Sequence, residues 1–426
     1  MLRRTFVKAV GSGTLAVIGG RILDGGRVVG PWTRGFEEAL AAAETPLPLL
    51  LHNNENPLGP GEKALNAIRE KLVERGVPAA RYTSLAPDLA AMIAARYKCK
   101  EENVLVGCGS TQILRTATLL FTSPERPLVA GSPAYEECGD VAKLAGAPIK
   151  TVAGTSTLHH DLDGMAAAAK GAGLIYFDNP SNPAATLHPA NAVATFVERV
   201  TREAGDTHII IDEAYHDYVT DPAHHTQIPL AIDHPRVIVA RTFSKAFGMA
   251  GLRVGYAIAR AETIKKMRAI HYGLGTNVLG LAAAMASFPD ETRLAREARR
   301  NTEARAFTIN WFKNAGFTPT DSQCNFIFVN IGRTAKEFRE GCAKANVRVG
   351  RDFPPFEKTH ARVSIGTLEE MKQAVQVFGK VLGVKGSLGQ PSNSPFHILP
   401  KRSGSDFRAK DISFSISRDS LGAARQ

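Results

Sequence analysis

Short apolar runs recur along this chain, "NVLVG", "PLVAG", "GLIYFD", "HIIIDE", "VIVAR" and "RVGYAIA", with helical patterns between them. Unbroken apolar runs of strand length belong to strands buried on both faces. Their alternation with helices predicts an α/β fold with a mostly parallel sheet covered on both sides, an α/β/α arrangement. Polar clusters follow the runs at once: "GCGSTQ" after the first, "PAYEE" after the second, "NPSNP" after the third, "DEAY" at the fourth and "TFSK" after the fifth. In a parallel sheet these are the carboxyl ends, where open α/β folds bind ligands. Their convergence on one edge predicts a site there.

The chain has 426 residues, 44% of them hydrophobic, and chains longer than roughly 250 to 300 residues usually divide into domains. Residues 78–285 are expected to form the large domain. Residues 44–77 and 286–386 are expected to combine into a smaller α+β domain, in which "QCNFIFVN" and "ARVSIGT" read as strands and "LEEMKQAVQVFGKVLG" as a closing helix. Residues 1–43 begin "MLRRTFVKAVGSGTLAVIGG" and offer A-x-A sites after Ala41 or Ala43. Twin Arg3–Arg4 before a short Gly-rich apolar run resembles a twin-arginine export signal. It implies a periplasmic protein; a cytoplasmic chain with a basic arm is the alternative. The run is too short to span a bilayer, so no stable membrane insertion is expected. Residues 387–426, rich in Ser, Gly and charge with few apolar anchors, are expected to be disordered.

The formal charge of +11 looks like a nucleic-acid signal until it is located: residues 1–43 and 387–426 each hold six Arg/Lys against three acids, leaving +5 for the body. No basic stripe with interleaved aromatics appears, so anionic small molecules fit the surface better than DNA or RNA. The five cysteines form no CxxC and no Cys/His ligand set, which argues against a disulfide framework and against a metal site. The pairs His159–His160 and His224–His225 lie in polar stretches and are expected to be solvated surface residues.

"GCGSTQIL" reads as a strand end, a Gly-rich turn at Gly109 and a helix start bearing Ser110 and Thr111. Such a start can hold a phosphate on free backbone N–H groups and the helix dipole, though similar turns also serve as plain caps. Lys245 lies in "TFSKAFGMAGLRVGY", a run otherwise apolar, small or glycine until Arg253. Desolvation lowers an amine's pKa, and a neutral amine can form a Schiff base with an aldehyde. A phosphate cup plus a Schiff-base lysine points to pyridoxal 5'-phosphate. Asp212, closing "IIID", then has a purpose beyond capping a helix: a carboxylate against the pyridine nitrogen keeps the ring protonated as an electron sink.

The ordered set "NENP", "RY", "GCGST", "AYEE", "NPSNP", "DEAY", "SKAFGMAGLRVGY" and "RVSIGT" resembles the fold-type I, class I/II aminotransferases, particularly the histidinol-phosphate aminotransferase-like group, over roughly residues 50 to 383. The resemblance implies that Lys245 carries the Schiff base and that Asp212 pairs with the ring nitrogen. It implies that Tyr215 and Asn182 hydrogen-bond the ring's phenolic oxygen, that Tyr135 stacks on the ring, and that Ser110, Thr111, Ser244, Arg253 and Thr242 hold the phosphate. Arg362, with Arg351 and Asn182 beside it, is implied to bind the substrate, the guanidinium forking onto a carboxylate. Tyr82 is implied to reach a neighbouring subunit's phosphate, hence a homodimer. The expected reaction passes an amino group between an amino acid and a 2-oxo acid. Histidinol phosphate as substrate is the alternative, as is a decarboxylase or lyase on the same fold. Ala184 and Ala185 stand where the family usually has Thr-Gly, which bears on the loop near the substrate.

Overall fold

The computed structural model describes residues 47–75, 78–82, 84–270 and 275–384. The expected export signal, residues 1–43, and the expected tail, residues 387–426, lie outside the described residues.

After a first short strand, β1 (Leu49–Leu51), the chain builds β2 (Val104–Gly107), β3 (Leu128–Ser132), β4 (Ile149–Ala153), β5 (Leu174–Asp178), β6 (His208–Asp212), β7 (Val237–Thr242) and β8 (Gly255–Ile258). These last seven form one sheet in the order β2-β8-β7-β6-β5-β3-β4. The neighbours from β4 to β7 pair in parallel. β8 runs antiparallel to both β2 and β7.

Side chains along a strand alternate between faces, and here the alternation feeds two cores. Ile175, Phe177, Ile209, Ile211, Val237 and Val239 enter one. Leu174, Tyr176, Ile210, Ile238 and Ala240 enter the other. The first is covered by helices such as Ala190–Glu203, whose buried Val193, Phe196, Val197 and Val200 make a single stripe at helical spacing. The second is covered by Gly109–Phe121 and Ala261–Ile270, through Ile113, Leu114, Ile264 and Met267. Apolar runs buried on both sides thus become the expected three-layer sandwich.

A third core gathers Leu51, Ile327, Val329, Phe338, Val347, Val363 and Phe378. It lies under β9 (Thr318–Pro319), β10 (Phe326–Asn330), β11 (Val347–Val349) and β12 (His360–Ser364). β12, β10 and β9 form an antiparallel sheet. β1 and β11 pair in parallel. The closing helix Leu368–Leu382 starts at a capping box of Thr367 and Glu370 and stops at Gly383 in the left-handed conformation. The cores do not divide between residues 77 and 78. Ala64, on the helix Glu62–Val73, belongs to the large-sheet core with Ile68 packed beside it, and that helix lies against Val278–Ser287. Among the described residues of the early segment, β1 and the loop 52–54 join the smaller lobe.

Candidate active site

A cleft of about 440 Å3 opens at the carboxyl edge of the large sheet and is roofed by the smaller lobe. It is lined by Lys245, Asp212, Tyr215, Tyr135, Asn182, Ser110, Thr111, Thr242, Ser244, Arg253, Arg351 and Arg362, all site residues expected from sequence. Strand order explains the convergence: each residue from Ser110 to Lys245 closes or follows β2, β3, β5, β6 or β7 at the same edge. Because β8 runs the opposite way, Arg253 just before it arrives there too. Tyr82 does not line the cleft; it is fully exposed on the surface.

One end of the cleft is an anion cradle. Gly109 opens the helix Gly109–Phe121 at φ +75°, and a Cβ there would lie 2.5 Å from Nη2 of Arg253. A Cβ on Gly255 would lie 2.4 Å from the backbone nitrogen of Ser110. Only glycines let the guanidinium approach the helix start this closely. Arg253, itself left-handed at φ 53°, donates from Nη1 to the Ala250 carbonyl at 2.9 Å and to Ser244 Oγ at 3.4 Å. The N-cap residue Cys108 makes no side-chain cap, Gln112 Oε1 accepts its N–H at 2.6 Å, and four hydroxyls and one guanidinium line the cleft at the helix start.

Lys245 stands at the centre. Its Nζ donates to the Asn53 carbonyl at 3.3 Å and lies 5.5 Å from the Tyr215 ring centroid. Burial, with Arg362 adding its charge, pulls the amine down to about 8. Asp212, 5% exposed, accepts the Ala214 N–H at 3.1 Å and the Tyr176 hydroxyl at 3.3 Å. Burial first, and Asp178 second, push its carboxyl up to about 7. Tyr135 is pushed up to about 12 by burial and by Glu137, whose carboxylate takes its hydroxyl at 3.4 Å. A half-buried amine pulled down towards neutrality, a buried carboxylate raised to about 7 and an anion cradle between glycines suit pyridoxal phosphate in chemistry and in space.

The roof is built from distant segments. Arg362 on β12 donates from Nη1 to Asn182 Oδ1 and from Nη2 to the His52 carbonyl, each at 2.7 Å, while its buried Nε has no partner. Burial, with Arg351 adding, lowers it to about 10. Both arginines lie over the Phe353 ring, at 4.3 and 4.5 Å from its centroid, and Arg351 also pairs with Glu136 across the cleft mouth. Asn54 donates from Nδ2 to the Tyr215 hydroxyl at 3.1 Å and is fixed by Ser364 and Asn325.

Sequence reasoning assigned no role to Asn54, Tyr176 or Asp178, which line the cleft. Tyr176 and Asp178 were hidden inside an apolar run, and Asn54 lay in "NENP" with only its motif to mark it. His160 and His224, expected on the surface, are 3% and 8% exposed. Each is held by a partner, His160 by Asp178 at 2.6 Å and His224 by His216 at 2.9 Å. At the Ala184–Ala185 departure the loop keeps a left-handed residue: Ala185 has φ 63° and is fully buried. Its N–H bonds the Ser181 carbonyl at 2.9 Å. Among the described residues no His, Cys, Asp and Glu cluster could hold a metal, and no helix is long and apolar enough to cross a membrane.

Residues 48–378 match the family described as aminotransferase class I and II. A histidinol-phosphate aminotransferase from Moorella thermoacetica is 32% identical over 78% of this chain and 85% of its own length. An aromatic amino acid aminotransferase from Thermobifida fusca is 31% identical over 74% of this chain and 85% of its own. In structure, a histidinol-phosphate aminotransferase from Sinorhizobium meliloti, solved in complex with pyridoxal-5'-phosphate, matches with a TM-score of 0.73 and 26% identity, covering 84% of this chain and 95% of that one.

Proposed function

The chain belongs to the class I and II aminotransferases, and from that premise we propose that Lys245 holds the pyridoxal phosphate and moves the proton as an amino group passes between an amino acid and a 2-oxo acid. The bound cofactor supplies an electron-withdrawing ring that takes up the electron pair left when the substrate's α-proton departs. Ser110, Thr111, Ser244 and Arg253 hold its phosphate, with Thr242 orienting Ser244 and Gly109 leaving room. Asp212 would keep a proton on the ring nitrogen, Tyr135 would pack against the ring, and Tyr215 and Asn182 would donate to its phenolic oxygen. With its pKa near 8, Lys245 has a neutral fraction at mildly alkaline pH, so Nζ can accept the α-proton and return it.

The observation that carries this reading is one lysine amine sharing a cleft with a buried carboxylate, held by Tyr176 and the Ala214 N–H, and with an anion cradle. Lys245→Ala should abolish the borohydride-trapped cofactor adduct and slow amino transfer by about 10²- to 10⁴-fold or more, the contribution of a positioned base. An adduct trapped on another lysine overturns the assignment.

For the substrate, Arg362 forks onto a carboxylate. The neighbouring Arg351 favours a second reading, histidinol phosphate, whose distal phosphate the two arginines would share. Single-turnover absorbance changes across amino acids and histidinol phosphate separate them: a response to amino acids supports the first, a response to histidinol phosphate alone the second.

Tyr82, fully exposed on one chain, is read as completing the partner's phosphate site in a homodimer. Hybrid dimers test this. A Tyr82→Phe, Lys245→Ala chain paired with a wild-type chain should hold cofactor at the Lys245 site one to two orders of magnitude more weakly than the better site formed by pairing the two single mutants, from about 1.5 to 3 kcal/mol for a charge-assisted hydrogen bond. Equal retention refutes action in trans. Export to the periplasm rests on Arg3–Arg4: replacing both with Lys should leave a fused reporter in the cytoplasm, and continued export refutes it.

A further inference from the structure

Asp178 closes β5 and Asp212 closes β6, and the two are register partners on neighbouring parallel strands. Both line the cleft, at 3% and 5% exposure. Neighbouring strands lie about 4.8 Å apart, so these carboxylates stand abreast on the floor of the cleft. Asp178 is the better held. Its Oδ1 is bonded by His160 Nε2 at 2.6 Å, and its Oδ2 accepts the Asn182 N–H at 2.8 Å. His160 is fixed in turn: its carbonyl is bonded by His188 Nε2 at 3.0 Å. Its ring fills space left by Gly131, where a Cβ would lie 2.1 Å from Nδ1. The same imidazole lines a second cavity, of about 420 Å3, with Asp161, His188 and Arg199. His160 therefore reaches Asp178 from outside the cleft.

We propose that Asp178, held by His160, is a positioning residue that sets the charge on Asp212 and thereby how firmly Asp212 can hold a protonated ring nitrogen. The proposal rests on the pyridoxal phosphate reading of the site. Asp178 and Tyr176 face Asp212 from β5, Lys245 from the loop after β7, and Tyr135, Tyr215 and Cys138 from the remaining walls. Of these, Lys245 supplies the positive charge that favours ionisation of Asp212, while Asp178 opposes it. Two adjacent carboxylates resist ionising together. Asp178 keeps its own hydrogen bonds from His160 and Asn182, so the resistance falls on Asp212.

The sign of the effect follows. Asp212 can pair with a protonated ring nitrogen only when ionised, so the apoenzyme's affinity for pyridoxal phosphate falls as pH drops through the Asp212 titration. Asp178→Asn keeps an oxygen for the Asn182 N–H but removes the neighbouring charge. It should move the midpoint of that fall to lower pH by about one unit, the size of a single like-charge effect. The readout is the dissociation constant of pyridoxal phosphate from the apoenzyme, measured by equilibrium titration across the pH range in wild type and variant. A merely structural role for Asp178 weakens binding equally at every pH, and an unmoved midpoint overturns the proposal. Should wild type bind no pyridoxal phosphate at any pH, the cofactor reading fails instead. Carbon-13 carboxylate titration of the wild-type apoenzyme, with Asp212 assigned through Asp212→Asn, gives an independent check that does not depend on the variant folding. Asp212 is expected to titrate near 7; titration of Asp212 in the ordinary carboxylate range near 4 overturns the proposal.

Discussion

Arg241 on β7 and Arg362 on β12 are equally buried, each 6% exposed, yet their surroundings are opposite. Arg241 donates from Nη1 to Glu213 at 2.9 Å and from Nη2 to Asp217 at 3.0 Å. Burial works against its charge, but Tyr97, Asp217, Tyr256 and Glu213 outweigh it and hold the guanidinium well above its usual pKa. Among the described residues Arg362 hydrogen-bonds only neutral oxygens, keeps an unpartnered Nε and is lowered to about 10. A buried cation with two carboxylates is part of the frame. One with none keeps a free face for an anion on the proposed reading, and the difference separates the wall that is frame from the wall proposed to bind.

Substitutions can break that contrast. Arg241→Met should cost about 3–5 kcal/mol in denaturant unfolding, since it leaves Glu213 buried without its cation. A loss under about 1 kcal/mol would place Arg241 with Arg362. Arg362→Met should leave unfolding within about 1 kcal/mol of wild type while raising KM for carboxylate substrates ten- to a hundredfold, the equivalent of about 1.5–3 kcal/mol for a charge-assisted pair. Unchanged KM would remove its role in binding. The smallest effect sharpens the same division between frame and site. Ala184→Gly and Ala185→Gly each delete one buried methyl, but only Ala185 is left-handed. Relief of strain should make the Ala185 variant more stable than the Ala184 variant by about 1 kcal/mol, and equal stabilities would mean the loop carries no strain there.

The floor of the cleft was legible in sequence because chain order maps directly onto position along the sheet edge. Ser110, Tyr135, Asn182, Asp212 and Lys245 each follow their own apolar run, so one rule about strand ends finds them all. The roof obeys no local rule. Asn54 and Ser364 are 310 residues apart and meet through hydrogen bonds at 2.8 Å, and nothing near either residue announces the other. Arg362 was found only through the family resemblance. Arg241 and Asp178 were missed for a different reason: each closes an apolar run, where a charged residue reads as the end of a strand, and its buried partner comes from another loop. The early helix was misallotted because its contact with the helix Val278–Ser287 is equally non-local.

The parallel pairing of β1 with β11, Leu49 beside Val347, also orders events in time. During synthesis domains fold from the amino terminus as they emerge, and contacts between distant segments form late. β1 leaves the ribosome before any strand of the large sheet but has no partner until that whole sheet has followed. The cradle and Lys245 can be assembled while β1 still waits, and the arginine-bearing roof closes last. On the proposed reading, a nascent chain of this protein would complete its cofactor cradle before the roof that carries Arg351 and Arg362.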